Sequence, residues 1–199
     1  MKIAVIDYGM GNLFSVEQAL KRLGANVVVT SNAADFEQVD GIILPGVGAF
    51  PDAMARLAQL NLIEPIQQTT KPLLGICLGM QLLFEHSEEG RETEGLGILK
   101  GRIEKFKSVR RIPHIGWNEL TFTDGAHPGQ NYVYFVHSFY ANGTAPEQVI
   151  AYTDYDGVKV PAIVGQQNFT GMQFHPEKSG EFGMQLLQEW LQKVEAVVC

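Results

Sequence analysis

A chain of 199 residues, 45% hydrophobic and 19% charged, fits one domain with a single sizeable core, taken as residues 1–199. A net charge of −7 argues against nucleic acid as a partner, because phosphate binding shows as a basic excess. Asp7 interrupts the apolar N-terminus too soon for a signal-peptide core and no apolar run reaches membrane-spanning length, so a soluble, cytoplasmic protein with no membrane partner is expected.

The first half alternates strand and helix. Lys2 to Tyr8 reads as a buried strand and Gly9-Met10-Gly11-Asn12 as a turn. A helix follows, carrying Val16, Ala19, Leu20 and Leu23 on one face, with Gly24 as its stop. Asn26 to Thr30 and Gly41 to Leu44 read as further strands, and Pro51-Asp52 opens a helix bearing Met54, Leu57 and Leu60. Pro72 to Ile76 is a fourth strand, with a helix predicted from about Gly79 to His86. Such alternation implies parallel strands joined by right-handed crossovers. The second half reads as strands with short connections: Ile98 to Phe106, Asn118 to Thr123, Tyr132 to Tyr140, Val149 to Tyr155, Val158 to Gly165 and Phe169 to Phe174. Asp156-Gly157 is a hairpin signal, and a last helix carries Leu187, Trp190, Leu191 and Val194. The predicted fold class is α/β: an open mixed sheet, parallel in its N-terminal half, antiparallel in its C-terminal half and flanked by helices.

One segment stands out chemically. In Gly75-Ile76-Cys77-Leu78-Gly79 an apolar strand ends at a cysteine with glycine two residues to either side, and a helical pattern starts at once. This is the thiol counterpart of the G-x-S-x-G nucleophile elbow, where a sharp strand-to-helix turn presents the nucleophile. A side chain at 75 or 79 would collide with the neighbouring strand or helix. A cysteine by itself is more often a buried, inert thiol, and only this setting raises Cys77 above that default. The second cysteine, Cys199, is terminal, and a disulfide to it is not expected.

A nucleophile of this kind needs a base. His175 ends a predicted strand, and Glu177 lies two residues on, so an extended backbone puts both side chains on one face. Pro176 restricts that relation. Alone, the motif is better read as a strand-end histidine with a surface glutamate; beside a cysteine elbow it reads as a base with its orienting carboxylate. Pro45-Gly46-Val47-Gly48 follows the third strand, and its glycines leave backbone N–H groups bare, so Gly46 and Val47 lend a donor to a developing oxyanion. The N–H of Leu78 supplies a second donor. Gly9-Met10-Gly11-Asn12-Leu13-Phe14 lacks the third glycine of a dinucleotide fingerprint and reads as a tight turn in which Asn12 caps the helix. His86, His114, His127 and His137 show no metal-ligand spacing, so neither metal nor cofactor is expected. Six of the fifteen basic residues crowd between Lys100 and Arg111, a run better read as a solvated face than as an anion site.

The cysteine elbow, His175-x-Glu177 and the glycine-rich loop together resemble the class I (triad) glutamine amidotransferases. The blocks Ile6 to Leu13, Leu44 to Phe50, Gly75 to Phe84, Pro113 to Glu119, Val136 to Tyr140 and Gln173 to Lys178 are most similar to the glutaminase subunits that serve imidazole glycerol phosphate synthases in histidine biosynthesis. The blocks keep the family's order over almost the whole chain. The resemblance implies hydrolysis of glutamine to glutamate and ammonia through a Cys77 thioester, with His175 and Glu177 completing the triad. It implies ammonia delivery to a (β/α)₈-barrel cyclase subunit in a heterodimer. By family position Gln81, Glu89, Ser138 and Phe139 recognise glutamine, while Asn12, Trp117 and Lys178 lie toward the partner. Because an uncoupled glutaminase wastes glutamine, the loop Pro45 to Gly48 is expected to rest with its donor turned away until the partner docks. Two other readings stay open on the residues alone: the glutaminase subunit of another synthase, and a free-standing cysteine hydrolase.

Overall fold

The computed structural model describes residues 1–107, 109–127, 129 and 131–198; Cys199 lies outside them. The N-terminal half contains β1 (Lys2–Ile6), α1 (Leu13–Arg22), β2 (Asn26–Thr30), β3 (Gly41–Leu44), α2 (Phe50–Gln59), α3 (Ile63–Gln68), β4 (Leu73–Ile76) and α4 (Leu78–Gln81). Then come β5 (Phe84–Ser87), β6 (Thr93–Glu94), β7 (Leu99–Lys105), β8 (His114–Glu119), β9 (Thr121–Phe122), β10 (Tyr132–His137) and β11 (Phe139–Asn142). The chain closes with β12 (Val149–Tyr155), β13 (Val158–Gln166), β14 (Phe169–Met172) and α5 (Gly180–Val198).

Among the described residues the main sheet runs β2-β1-β3-β4-β14-β13-β12-β9. Strands β2 to β14 in that order pair in parallel, and β13, β12 and β9 add antiparallel. The mixed sheet expected from the sequence is therefore present. Its central parallel strands β1, β3 and β4 are almost wholly apolar and buried because both faces are covered, whereas edge strand β2 is partly exposed. On β1, Ala4 and Ile6 pack into one core with Ile42 and Leu44 of β3 and Leu57 of α2. Ile3 and Val5 point the other way, into a core with Ile43, Leu20 of α1 and Trp190 of α5. Each such fully buried Ile or Leu stabilises the fold by roughly 1.5–3 kcal/mol. Asn12 caps α1 as its turn chemistry suggests, its Oδ1 accepting from the Ser15 N–H at 3.4 Å. Asp156 and Gly157 take φ values of 51° and 82°, which a two-residue hairpin between β12 and β13 requires.

Three predicted elements differ. The helix expected from Gly79 to His86 is one turn, Leu78–Gln81, after which the chain extends into β5. Leu82, Leu83 and Phe84 are fully buried, and their carbonyls take the amides of Leu96, Ile98 and Gly97. Those outside donors replace the next helical turn. The long strand expected from Tyr132 to Tyr140 breaks at Ser138, because the chain leaves β8 and joins β7: His137 pairs with His114, Phe139 with Lys105. The strand expected at Asn118 to Thr123 instead begins at His114 and splits into β8 and β9. The basic run behaves as a solvated face: Arg102 pairs with Glu92 at 3.0 Å and Lys107 with Glu88 at 3.6 Å.

Candidate active site

The site lies at the carboxyl edge of the parallel strands, where open α/β sheets place their ligands. β4 and β14 are neighbours, with Ile76 opposite Met172, and the Cys77 N–H donates to the Met172 carbonyl at 2.8 Å. The residues just past both strands therefore emerge side by side. Cys77 sits at φ 55°, ψ −110°, the strained turn of an elbow. The flanking glycines are required. A Cβ on Gly79 would lie 1.8 Å from the Leu44 carbonyl oxygen, and one on Gly75 2.6 Å from the Gly79 carbonyl oxygen.

His175 is held by its backbone: its N–H donates to the Tyr134 carbonyl at 3.1 Å, and its carbonyl accepts from the Ser179 hydroxyl at 2.6 Å. Its imidazole lines the same cleft as Cys77, and its Nδ1 meets Glu177 Oε1 at 2.8 Å. The side chains of His175 and Glu177 are 3% and 1% exposed. Burial acts to lower the His175 pKa, but the hydrogen bonds and charges of Cys77 and Glu177 outweigh it and lift the pKa to about 9. The imidazole thus keeps its proton at neutral pH. Glu177 Oε2 is buried without a hydrogen-bond partner. The helix after Cys77 is a single turn, so its dipole adds little.

Cys77 and His175 open into a cleft of about 330 Å³. It is lined by Val47, Leu78, Gln81, Glu89, Ser138 and Phe139, all singled out from the sequence, and also by Gly48, Pro113, Val136 and His137. Gln81 spends both amide protons on the protein, donating to the Phe139 carbonyl at 2.9 Å and to Gln173 Oε1 at 3.0 Å. Only its Oε1 can turn to a ligand. Glu89 accepts from the Phe50 N–H at 2.8 Å, and burial raises its pKa against that bond.

At the Pro45–Gly48 loop, the Leu78 N–H donates to the Gly46 carbonyl at 3.3 Å, so the loop presents an acceptor to the elbow, with no loop donor turned toward it. The preceding carbonyl, that of Pro45, takes the Tyr8 hydroxyl at 2.8 Å. Tyr8 is 2% exposed, and burial first, then the Cys77 charge, pushes its pKa up.

Of the residues assigned to the partner face, Trp117 is 53% exposed and Lys178 is exposed; Asn12 lies past β1 at the carboxyl edge of the parallel strands. Ile115 and Phe14 are also exposed. Tyr8 and Gln173 were not anticipated as parts of the site; His137 lies in Val136 to Tyr140, a segment polar enough to border a site. Tyr8 and Gln173 lie inside the family-like blocks, and that position was the available signal. Among the described residues, no group of three or more His, Cys, Asp and Glu is arranged to hold a metal ion, and no helix is long and apolar enough to cross a membrane.

The family described as glutamine amidotransferase class-I matches residues 4–194. The imidazole glycerol phosphate synthase subunit HisH of Bacillus cereus strain B4264 is 51% identical over 203 residues, covering 98% of this chain and 96% of the relative. That of Bacillus thuringiensis strain Al Hakam is 51% identical over 203 residues, covering 97% and 95%. Among solved structures, PurLQS from Thermotoga maritima superposes with a TM-score of 0.77 at 21% identity, covering 97% of this chain and 98% of that one. The likeness to that structure is one of fold. The extent and identity of the sequence matches place this chain in the class I glutamine amidotransferase family, among the HisH subunits of imidazole glycerol phosphate synthase.

Proposed function

We propose that the chain works as one glutaminase domain in which Cys77, His175 and Glu177 hydrolyse glutamine. The Cys77 thiolate adds to the side-chain amide carbon, giving a tetrahedral oxyanion. His175, protonated at neutral pH, gives its proton to the departing nitrogen as ammonia leaves and a glutamyl thioester remains. It then takes a proton from water as water attacks that thioester, releasing glutamate and restoring the thiolate. Glu177 on Nδ1 holds the ring so that Nε2 faces the sulfur. Glu89 takes the α-ammonium of glutamine, Gln81 Oε1 a donor of the substrate, and Ser138 and Phe139 supply the edge of the pocket.

In the resting loop the Gly46 carbonyl sits on the Leu78 N–H. Rotation of the Gly46–Val47 peptide removes that carbonyl and turns the Val47 N–H inward, so both donors meet the oxyanion, each contributing on the order of 3 kcal/mol. The partner that triggers this is the (β/α)₈-barrel cyclase subunit, docking on the edge that carries Asn12, Trp117 and Lys178. The ammonia passes to it and is built into imidazole glycerol phosphate. A cytoplasmic location follows from this role in histidine biosynthesis.

The observation that carries this reading is that Cys77 and His175, from separate segments, line one cleft while Glu177 holds the imidazole at Nδ1. Ammonia release from glutamine, with and without the cyclase subunit, tests it. We expect slow turnover alone, strong stimulation by the partner, and complete loss in Cys77→Ala with partner binding intact. Persisting activity in that variant overturns the nucleophile assignment, and full turnover by the isolated chain overturns the loop's role.

A further inference from the structure

At the wall of the cleft and behind it lie two buried histidines that the mechanism leaves unused: His137 lines the cleft, and His114 does not. His114 of β8 and His137 of β10 face each other directly across the antiparallel pair and are 0% and 6% exposed. His114 Nδ1 lies 3.0 Å from His137 Nε2, and His137 Nδ1 lies 2.8 Å from the Phe139 carbonyl oxygen. The rings are fixed sideways too: His114 is stacked between Phe135 and Tyr155 at 4.7 and 3.8 Å, and Phe106 packs at 5.5 Å from His137.

The proton positions follow by elimination. A carbonyl has no proton, so His137 Nδ1 must carry one toward Phe139. Burial disfavours an imidazolium at both rings, lowering the His137 pKa to about 3 and that of His114 in the same direction. Neutral His137 therefore presents a lone pair at Nε2, and His114 must bring its proton on Nδ1. His114 Nε2 is then an acceptor. The Asn118 amide meets it at 2.8 Å through Oδ1. Two acceptors would repel, so the amide is turned end for end, which exchanges atoms of one shape. That turn gives up only a 3.4 Å contact from Nδ2 to the Asp154 carbonyl.

We propose that Asn118, His114 and His137 form a one-way hydrogen-bond relay whose donors all point at the Phe139 carbonyl, and that the two histidines are positioning residues for the glutamine pocket. The proposal rests on the glutaminase reading of the cleft. The Phe139 carbonyl takes a second donor from Gln81, whose other proton goes to Gln173, and Gln173 Nε2 lies 4.0 Å from Cys77 Sγ. Two opposed donors thus hold one carbonyl, just where the chain breaks between β10 and β11 and Ser138 and Phe139 line the cleft. Without the His137 donor, the Phe139 carbonyl keeps only the Gln81 side-chain donor, and the substrate-facing edge is held less firmly, by that bond, the Phe106 N–H on the Ser138 carbonyl and the flanking strand pairing.

Two substitutions separate this from a space-filling role. Asparagine at 137 places its amide nitrogen near Nδ1 and can keep the bond to Phe139, whereas glutamine reaches the Nε2 position and leaves that carbonyl without its donor. Glutamine binding is measured by calorimetry on the complex with the cyclase subunit in the Cys77→Ala background. His137→Gln is expected to weaken it about tenfold or more, the loss of one oriented hydrogen bond, and His137→Asn by about threefold or less. With Cys77 intact, KM for glutamine rises more than kcat falls in the glutamine variant. Equal losses in both variants, or none in either, overturn the relay. If the Cys77→Ala complex itself fails to bind glutamine, the glutaminase reading falls and this proposal with it. A nitrogen-15 NMR readout of the full chain is independent of activity. At neutral pH both rings should carry the proton on Nδ1 with Nε2 bare, and an imidazolium or an Nε2–H form at His137 refutes the assignment.

Discussion

The two sides of the cleft are in different states of readiness. On the β4–β14 side, Cys77 and His175 line one cleft, Glu177 is bonded to the imidazole, which holds its proton, and the elbow is pinned by the Met172 carbonyl. On the β3 side, the loop that should stabilise the oxyanion offers Leu78 a carbonyl instead. Nucleophile and base depend on buried backbone anchors that cannot move without unfolding the sheet edge. The loop depends on one long hydrogen bond and the Tyr8 hydroxyl. A protein built this way separates the capacity to attack from the capacity to stabilise what attack produces, so turnover can be withheld while the relay stays intact.

The two sides touch at Gly79, where the elbow meets the end of β3. Gly79→Ala should have the largest effect, since a methyl 1.8 Å from the Leu44 oxygen forces the strand and elbow apart. We expect a loss above about 4 kcal/mol in urea unfolding, or no folded protein. Wild-type stability would show that the junction yields more than its geometry suggests. Glu177→Gln leaves the loop side untouched and should lower partner-stimulated kcat by about 10²–10⁴, because the ring loses its orienting carboxylate. A drop confined to KM would contradict this.

The relay side also carries a pH signature. The His175 pKa is about 9 in the fold against 6.5 for an unperturbed ring. Its contribution is therefore fully present below about pH 6.5 and is lost as pH rises through about 9, on the order of 3 kcal/mol. Urea midpoints across that window should fall with rising pH and fall less in His175→Ala. An unchanged slope removes the ion pair from the stability argument. Tyr8→Phe acts on the loop side alone: it frees the Pro45 carbonyl at a cost of about 1 kcal/mol. It should also raise the glutaminase rate of the isolated chain, leaving the partner-stimulated rate near wild type. The smallest effect belongs outside both sides. Arg102→Ala removes an exposed ion pair with Glu92 and should change stability by about 0.5 kcal/mol or less.

What could be read from the sequence was what local geometry dictates. Gly75 and Gly79 around Cys77 permit few conformations, and Pro176 ties His175 to Glu177, so both halves of the relay were visible in short segments. The parallel strands were visible because residues such as Ile3 to Ile6 are apolar on both faces. The misread elements share one cause. Leu82 to Phe84 are buried all round, and such a run has no period to distinguish a helix from a strand. Their partners near Leu96 to Leu99 decided the matter. His114 and His137 were judged by spacing to one another along the chain, 23 residues apart, whereas their meeting is a consequence of strand register. Tyr8 and Gln173 act through contacts with Pro45 and Gln81, and nothing local marks them. The loop's orientation is a choice between two peptide rotations that the same residues allow equally.

On the proposed mechanism, the Gly46 carbonyl on the Leu78 amide acts as an inhibitor carried within the chain. Because it is tethered, its local concentration never falls, and no metabolite has to accumulate or be cleared to keep the catalyst idle. Releasing it requires the rotation of one peptide plane and the removal of no covalent part. The speed of switching is then bounded by a backbone torsion, and assembly and disassembly of the complex can be matched turnover by turnover to demand for nitrogen.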